Sequence, residues 1–96
     1  MINVKIRTIL NLKKIIGKGE IDFPVKEGAV LEEVLDEMVE VYGKELESKL
    51  FNPNDRSLFQ HIRLMVNGRD IAFLNGLKTI LREGDEILIL PPVAGG

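Results

Sequence analysis

The residues with the most distinctive chemistry are Pro91-Pro92-Val93-Ala94-Gly95-Gly96, read as the C-terminus of the chain. Pro91 and Pro92 lack an N–H and have a fixed φ, so they stop strand pairing and hold the backbone extended. Val93 and Ala94 are small, and Gly95 and Gly96 carry no side chain, so the tip is as thin as a polypeptide can be. Fully extended, this arm reaches ~20 Å. The pattern is a stiff exit, a thin tip and an unhindered terminal carboxyl at Gly96, which suits insertion into a narrow channel of another protein. A carboxylate does not react with nucleophiles until its oxygen becomes a leaving group, and conversion to an acyl-adenylate with ATP does this. The chain has neither a GxxxxGK[ST] loop nor a GxGxxG turn, so the nucleotide is expected on a partner enzyme. Sulfur attacking the adenylate gives a thiocarboxylate, and an amine gives a conjugate.

Other candidate chemistry is weaker. His61 is the sole histidine and there is no cysteine, so no zinc-type ligand set, thiolate nucleophile or Ser-His-Asp arrangement is expected. Glu32, Glu33, Asp36, Glu37 and Glu40 share one helix face, where like charges at i,i+4 repel mildly; this reads as a solvated face. Asp85 and Glu86 are adjacent in a strand or turn and point to opposite sides, so they are no acid–base pair. Asp85 is expected to shape the turn after Gly84.

Composition narrows the class. The chain has 96 residues, 45% of them hydrophobic, with 13 basic against 15 acidic residues for a net charge of −2. That is one domain, spanning 1–96 with a flexible tail from 91 to 96, large enough for a core without disulfides. No basic excess points to nucleic acid. No apolar run reaches the ~20 residues of a membrane span, and the N-terminus lacks the apolar segment of a secretion signal. A cytoplasmic location is expected.

The elements that must position the tail follow from periodicity. Ile2, Val4 and Ile6 alternate with Asn3, Lys5 and Arg7, a half-buried strand. "NLKKIIGKGE" reads as a turn from which Ile15 and Ile16 plug the core. "EIDFPV" is a second strand, short or at an edge because of Pro24, in a hairpin with the first. Leu31, Val34, Leu35, Met38 and Tyr42 fall at helical spacing, with Gly28 as the expected N-cap and Gly43 as the stop. "KELESKLF" adds a short helical piece and "NPNDRS" a break. "HIRLMV" is a strand whose Asn67-Gly68 signals a tight hairpin. A connection anchored by Phe73, Leu77 and Leu81 leads to "EILIL", the last strand, expected beside the first in the middle of the sheet. Both faces of that strand are apolar. If Ile87 and Ile89 face the helix, Leu88 and Leu90 lie on the open face with Arg7, next to the tail, as a surface for docking a partner; the reverse phase fits the sequence equally. The order of elements predicts an α+β fold with a mixed sheet packed on one main helix, the plan of the ubiquitin-like β-grasp.

The string "REGDEILILPPVAGG" at Arg82–Gly96, with "VNG" at Val66–Gly68 and the opening "INVKI", resembles the MoaD/ThiS group of ubiquitin-like sulfur carriers, and within it the small subunit of molybdopterin synthase. The resemblance covers nearly the whole chain. It implies that an E1-like enzyme adenylates Gly96. The resulting thiocarboxylate then donates sulfur for the molybdopterin dithiolene within the synthase large subunit. The chain itself would be non-catalytic and hold no cofactor stably. Three departures stand out: Ala94 where the family often has Ser or Thr, extra residues at Leu46–Gln60 and around Asp70–Leu77, and Ile89 and Leu90 in place of aromatics. Relatives of this shape also act as protein modifiers or as sulfur donors for tRNA thiolation or thiamin, and a third reading is a binding module with an inert tail.

Overall fold

The computed structural model describes residues 1–91. Five strands form one mixed sheet in the order β2-β1-β5-β3-β4. They are β1 (Ile2–Thr8), β2 (Glu20–Val25), β3 (Arg63–Val66), β4 (Arg69–Asp70) and β5 (Glu86–Leu90), with helices α1 (Leu10–Ile16), α2 (Leu31–Tyr42) and α3 (Lys44–Leu50) between them. β1 pairs antiparallel with β2 and parallel with β5, as the sequence predicts for the first and last strands. This is the α+β, ubiquitin-like β-grasp.

The core lies between one sheet face and the helices. Val4 and Ile6 of β1, Leu64 and Val66 of β3, and Ile87 and Ile89 of β5 form one cluster with Leu31, Val34, Leu35 and Met38 of α2. Each such aliphatic side chain contributes about 1.5–3 kcal/mol by leaving water. α3 packs on α2 and α1, burying Leu46 and Leu50. Pro24 sits on the edge strand β2 and is paired with Asn3, where a missing N–H is tolerated.

Three local expectations are corrected. The segment after β1 is the helix α1 rather than a turn; Leu12 and Ile16 are the buried plugs and Ile15 is only partly buried. The N-cap of α2 is Val30 rather than Gly28. Valine has no side-chain acceptor, so the Glu33 carboxylate compensates by accepting from the Val30 N–H at 3.1 Å. That bond, then Lys26, lowers the Glu33 pKa below the usual carboxylate value. Phe73 does not anchor the connection. It is 79% exposed, whereas Leu81 is buried at 2% and Leu77 is partly buried.

The hairpin and the turn before β5 hold each other. Asn67 and Gly68 adopt φ of 52° and 83°, as a tight hairpin demands. Asn67 Nδ2 donates to Asp85 Oδ1 at 2.9 Å, and Asn67 Oδ1 accepts from the Glu86 N–H at 2.9 Å. Asp85 Oδ2 accepts from the Arg82 N–H at 2.8 Å, the turn-shaping role expected for it. The two most distinctive strings inside the fold are thus one hydrogen-bonded unit, and it fixes where β5 begins.

Candidate functional site at the tail root

The phase of β5 follows from its neighbours. Ile87 pairs with Ile6 and Ile89 with Leu64, all facing the helices, so Ile87 and Ile89 are fully buried. Leu88 and Leu90 therefore lie on the open face, partly buried. Leu88 has Arg7 beside it on β1 and Met65 beside it on β3, and Leu90 pairs with Arg63. Leu88, Leu90 and Arg7 are brought together on the open face, the first of the two phases that the sequence allows. Pro91 is buried; Pro92, Val93, Ala94, Gly95 and Gly96 lie outside the described residues.

Arg7 is held rather than free. Its Nη1 donates to Glu86 Oε1 at 3.0 Å, and its Nε lies 3.5 Å from Glu20 Oε1. The Glu86 hydrogen bond, and then the charges of Glu86 and Glu20, raise its pKa further. Exposed pairs like these add little stability, but they hold the guanidinium between Glu20 and Glu86, on the strand position beside Leu88. Arg63 is paired likewise with Asp70, Nε to Oδ2 at 3.6 Å.

A shallow groove of about 590 Å³ opens at this end of the sheet, lined by Arg7, Ile9, Leu10, Lys13, Leu88 and Leu90 among others. Ile9 and Leu10 were not picked out by sequence reasoning. They are 40% and 55% exposed, and Leu10 has a φ of 55°, uncommon and strained for a bulky residue. The available signal was "TIL", an apolar run continuing past the alternation of β1. A second hollow of about 290 Å³ lies across the tail root, lined by Asn11, Lys49, Phe59, His61 and Pro91 among others. His61 stacks on Phe59 with ring centroids 5.0 Å apart. Among the described residues no cluster of three or more His, Asp or Glu could hold a metal. No helix among them is long and apolar enough to cross a membrane.

Fold and site together define a small ubiquitin-like protein with a partly apolar groove at the end of β5, the strand that runs into Pro91. The ThiS family model matches residues 8–96, and the chain belongs to the ThiS family. A candidate sulfur carrier protein of Archaeoglobus fulgidus is 35% identical over 81 residues, spanning 84% of this chain and 89% of that protein. The crystal structure of SAMP1, a small archaeal modifier protein, from Haloferax volcanii superposes with a TM-score of 0.84 at 29% identity, covering 98% of this chain and 99% of that one. A chain of the Amycolatopsis orientalis BexX/CysO complex superposes with a TM-score of 0.74 at 30% identity, covering 97% of this chain and 99% of that one. The family resemblance read from the sequence is thus established at the level of a non-catalytic sulfur carrier. These relatives carry the names of modifiers and sulfur carriers.

Proposed function

We propose that the chain is a ubiquitin-like carrier of the modifier or sulfur-donor kind, whose working group is the Gly96 carboxyl. An E1-like enzyme supplies ATP. A carboxylate oxygen attacks the α-phosphorus, pyrophosphate leaves, and Gly96 becomes an acyl-adenylate. Hydrosulfide then attacks the carbonyl carbon, the C–O bond to AMP breaks, and a thiocarboxylate remains. With a lysine amine as nucleophile, AMP leaves in the same way, a proton is lost and an isopeptide bond forms. Pro91 and Pro92 direct the exit, Val93 and Ala94 keep the arm narrow, and Gly95 lets the tip pass through a channel. Leu88 and Leu90, with Arg7 beside them, dock the partner.

The observation that supports this most directly is the place of the groove. Leu88, Leu90, Ile9 and Leu10 line a groove that reaches Leu90, the residue before Pro91, so a partner can seat on the sheet while the tail enters it. The likeness to SAMP1 over almost the whole chain favours a modifier or general sulfur donor over a dedicated molybdopterin synthase subunit.

Intact mass after incubation with an E1-like enzyme, ATP and sulfide tests the reading. The expected product has one oxygen exchanged for sulfur, and a chain extended by one residue beyond Gly96 shows no exchange with an unchanged melting temperature. Sulfur gained by the extended chain would show that the terminal carboxyl is not the site. Lysine-linked adducts in extract select the modifier role, and a stable complex with a molybdopterin synthase large subunit selects the dithiolene role.

A further inference from the structure

β1 and β5 run parallel, so α1, which follows β1, stands at the end of the sheet where the tail leaves. Lys13 of α1 lines the groove with Leu88 and Leu90. Its stem lies along Gly19, where a Cβ would sit 3.5 Å from Lys13 Cε. Lys49 of α3 lines the second hollow, which includes Pro91. Among the described residues neither lysine has a carboxylate within ion-pair distance; Lys14, Lys18, Lys44, Arg69 and Arg82 likewise have none, and what sets Lys13 and Lys49 apart is that they line the two hollows at the end of β5. Among the described residues Glu20 is the sole carboxylate lining either hollow, and it already faces Lys5 and Arg7. A chain of net charge −2 thus presents the opposite sign at its tail root, as two open cations flanking an apolar floor.

We infer that the partner receiving the tail is a protein whose channel mouth carries carboxylates on both sides of an apolar strip, placed to meet Lys13 and Lys49. The inference rests on the tail-activation reading and specifies the partner's surface. Exposed charges steer encounter and set orientation more than they add affinity. One pair would bring the surfaces together, while two pairs astride the tail also fix rotation about the tail axis, so the thin arm meets its channel in one orientation. A nucleic acid is a poorer fit, because a phosphate backbone calls for a continuous cationic stripe and here the cations are separated by leucine and isoleucine.

The test is chain-dependent ATP–pyrophosphate exchange by the E1-like adenylating enzyme of the same genome. It compares Lys13→Glu/Lys49→Glu with Arg69→Glu/Arg82→Glu, which makes the same charge change at the opposite end of β5. At low salt the tail-root pair is expected to raise KM by roughly 10-fold or more with kcat within about twofold, and the gap should close near ~0.5 M salt as screening shortens the range of the charges. All four positions are exposed, and melting temperatures near wild type confirm folding. Equal KM values for the two variants would overturn the inference while leaving the activation reading in place. An unmoved KM with weakened binding to transfer RNA would overturn it in favour of a nucleic-acid surface. No exchange by the wild-type chain would overturn the activation reading itself, and this inference with it.

Discussion

The two faces of β5 carry nearly the same chemistry in different surroundings. Ile87 and Ile89 are sealed against the helices at 0% exposure. Leu88 and Leu90, one residue out of phase, lie on the open sheet with Arg7, Met65 and Arg63 as neighbours. The inner pair stabilises the fold. The outer pair could be polar at little expense to the fold, since an antiparallel or mixed sheet with one solvated face normally alternates there. β1 does alternate, with Lys5 and Arg7 outward. The departure on β5 occurs on the strand that runs into Pro91, so the apolar outer face and the tail are neighbours by construction.

The sharpest way to break this contrast is to truncate each face in turn. Ile89→Ala should destabilise by about 2–5 kcal/mol in urea unfolding, because it leaves a cavity in a closed core. A loss below about 1 kcal/mol would mean that the inner face is loosely packed. Leu88→Ser should leave stability within about 1 kcal/mol of wild type and raise the KM for activation by the E1-like enzyme roughly 10-fold, as for a central apolar contact of an interface. If the stability loss matches that of Ile89→Ala, the open face belongs to the core and the docking assignment fails.

The smallest effect concerns the helix above the inner face. The Glu33 carboxyl is held below its ordinary pKa first by the Val30 N–H and then by Lys26. A lowered folded pKa contributes stability above the unfolded value, about 4.3, and the contribution is lost as pH falls through the folded value. Glu33→Gln should therefore lower Tm at pH 7 by less than about 5 °C, with the two proteins converging in strong acid. A difference that persists unchanged at pH ~2 would assign the effect to packing instead of charge.

Much of the architecture was legible because it is local. Period two in "INVKIR", period 3.6 in "LEEVLDEM" and positive φ at Asn67-Gly68 depend on neighbours a few residues away, and all are present as read. The reading failed where propensity is weak or where long-range packing decides. "NLKKII" is short and flanked by Asn11 and Gly17, so it resembles a turn; it becomes a helix because Leu12 and Ile16 have a core to enter and α3 to pack on. Phe73 resembles an anchor by type alone, yet it is the smaller neighbours Leu77 and Leu81 that face inward.

The sequence by itself carries the proposal for the tail, since two prolines, two small residues and two glycines are the residue types it rests on. The strand and helix periods likewise define the β-grasp order. Only the tertiary structure decided the phase of "ILIL", since a strand apolar on both faces reads the same either way until Ile6 and Leu64 pair with it. Only the structure, too, brought Lys13 and Lys49 to the two hollows beside Leu90 and Pro91. They are 36 positions apart by their residue numbers, and nothing in local spacing couples them. The parallel pairing of β1 with β5 and the packing of α3 on α1 bring them to the same end of the sheet.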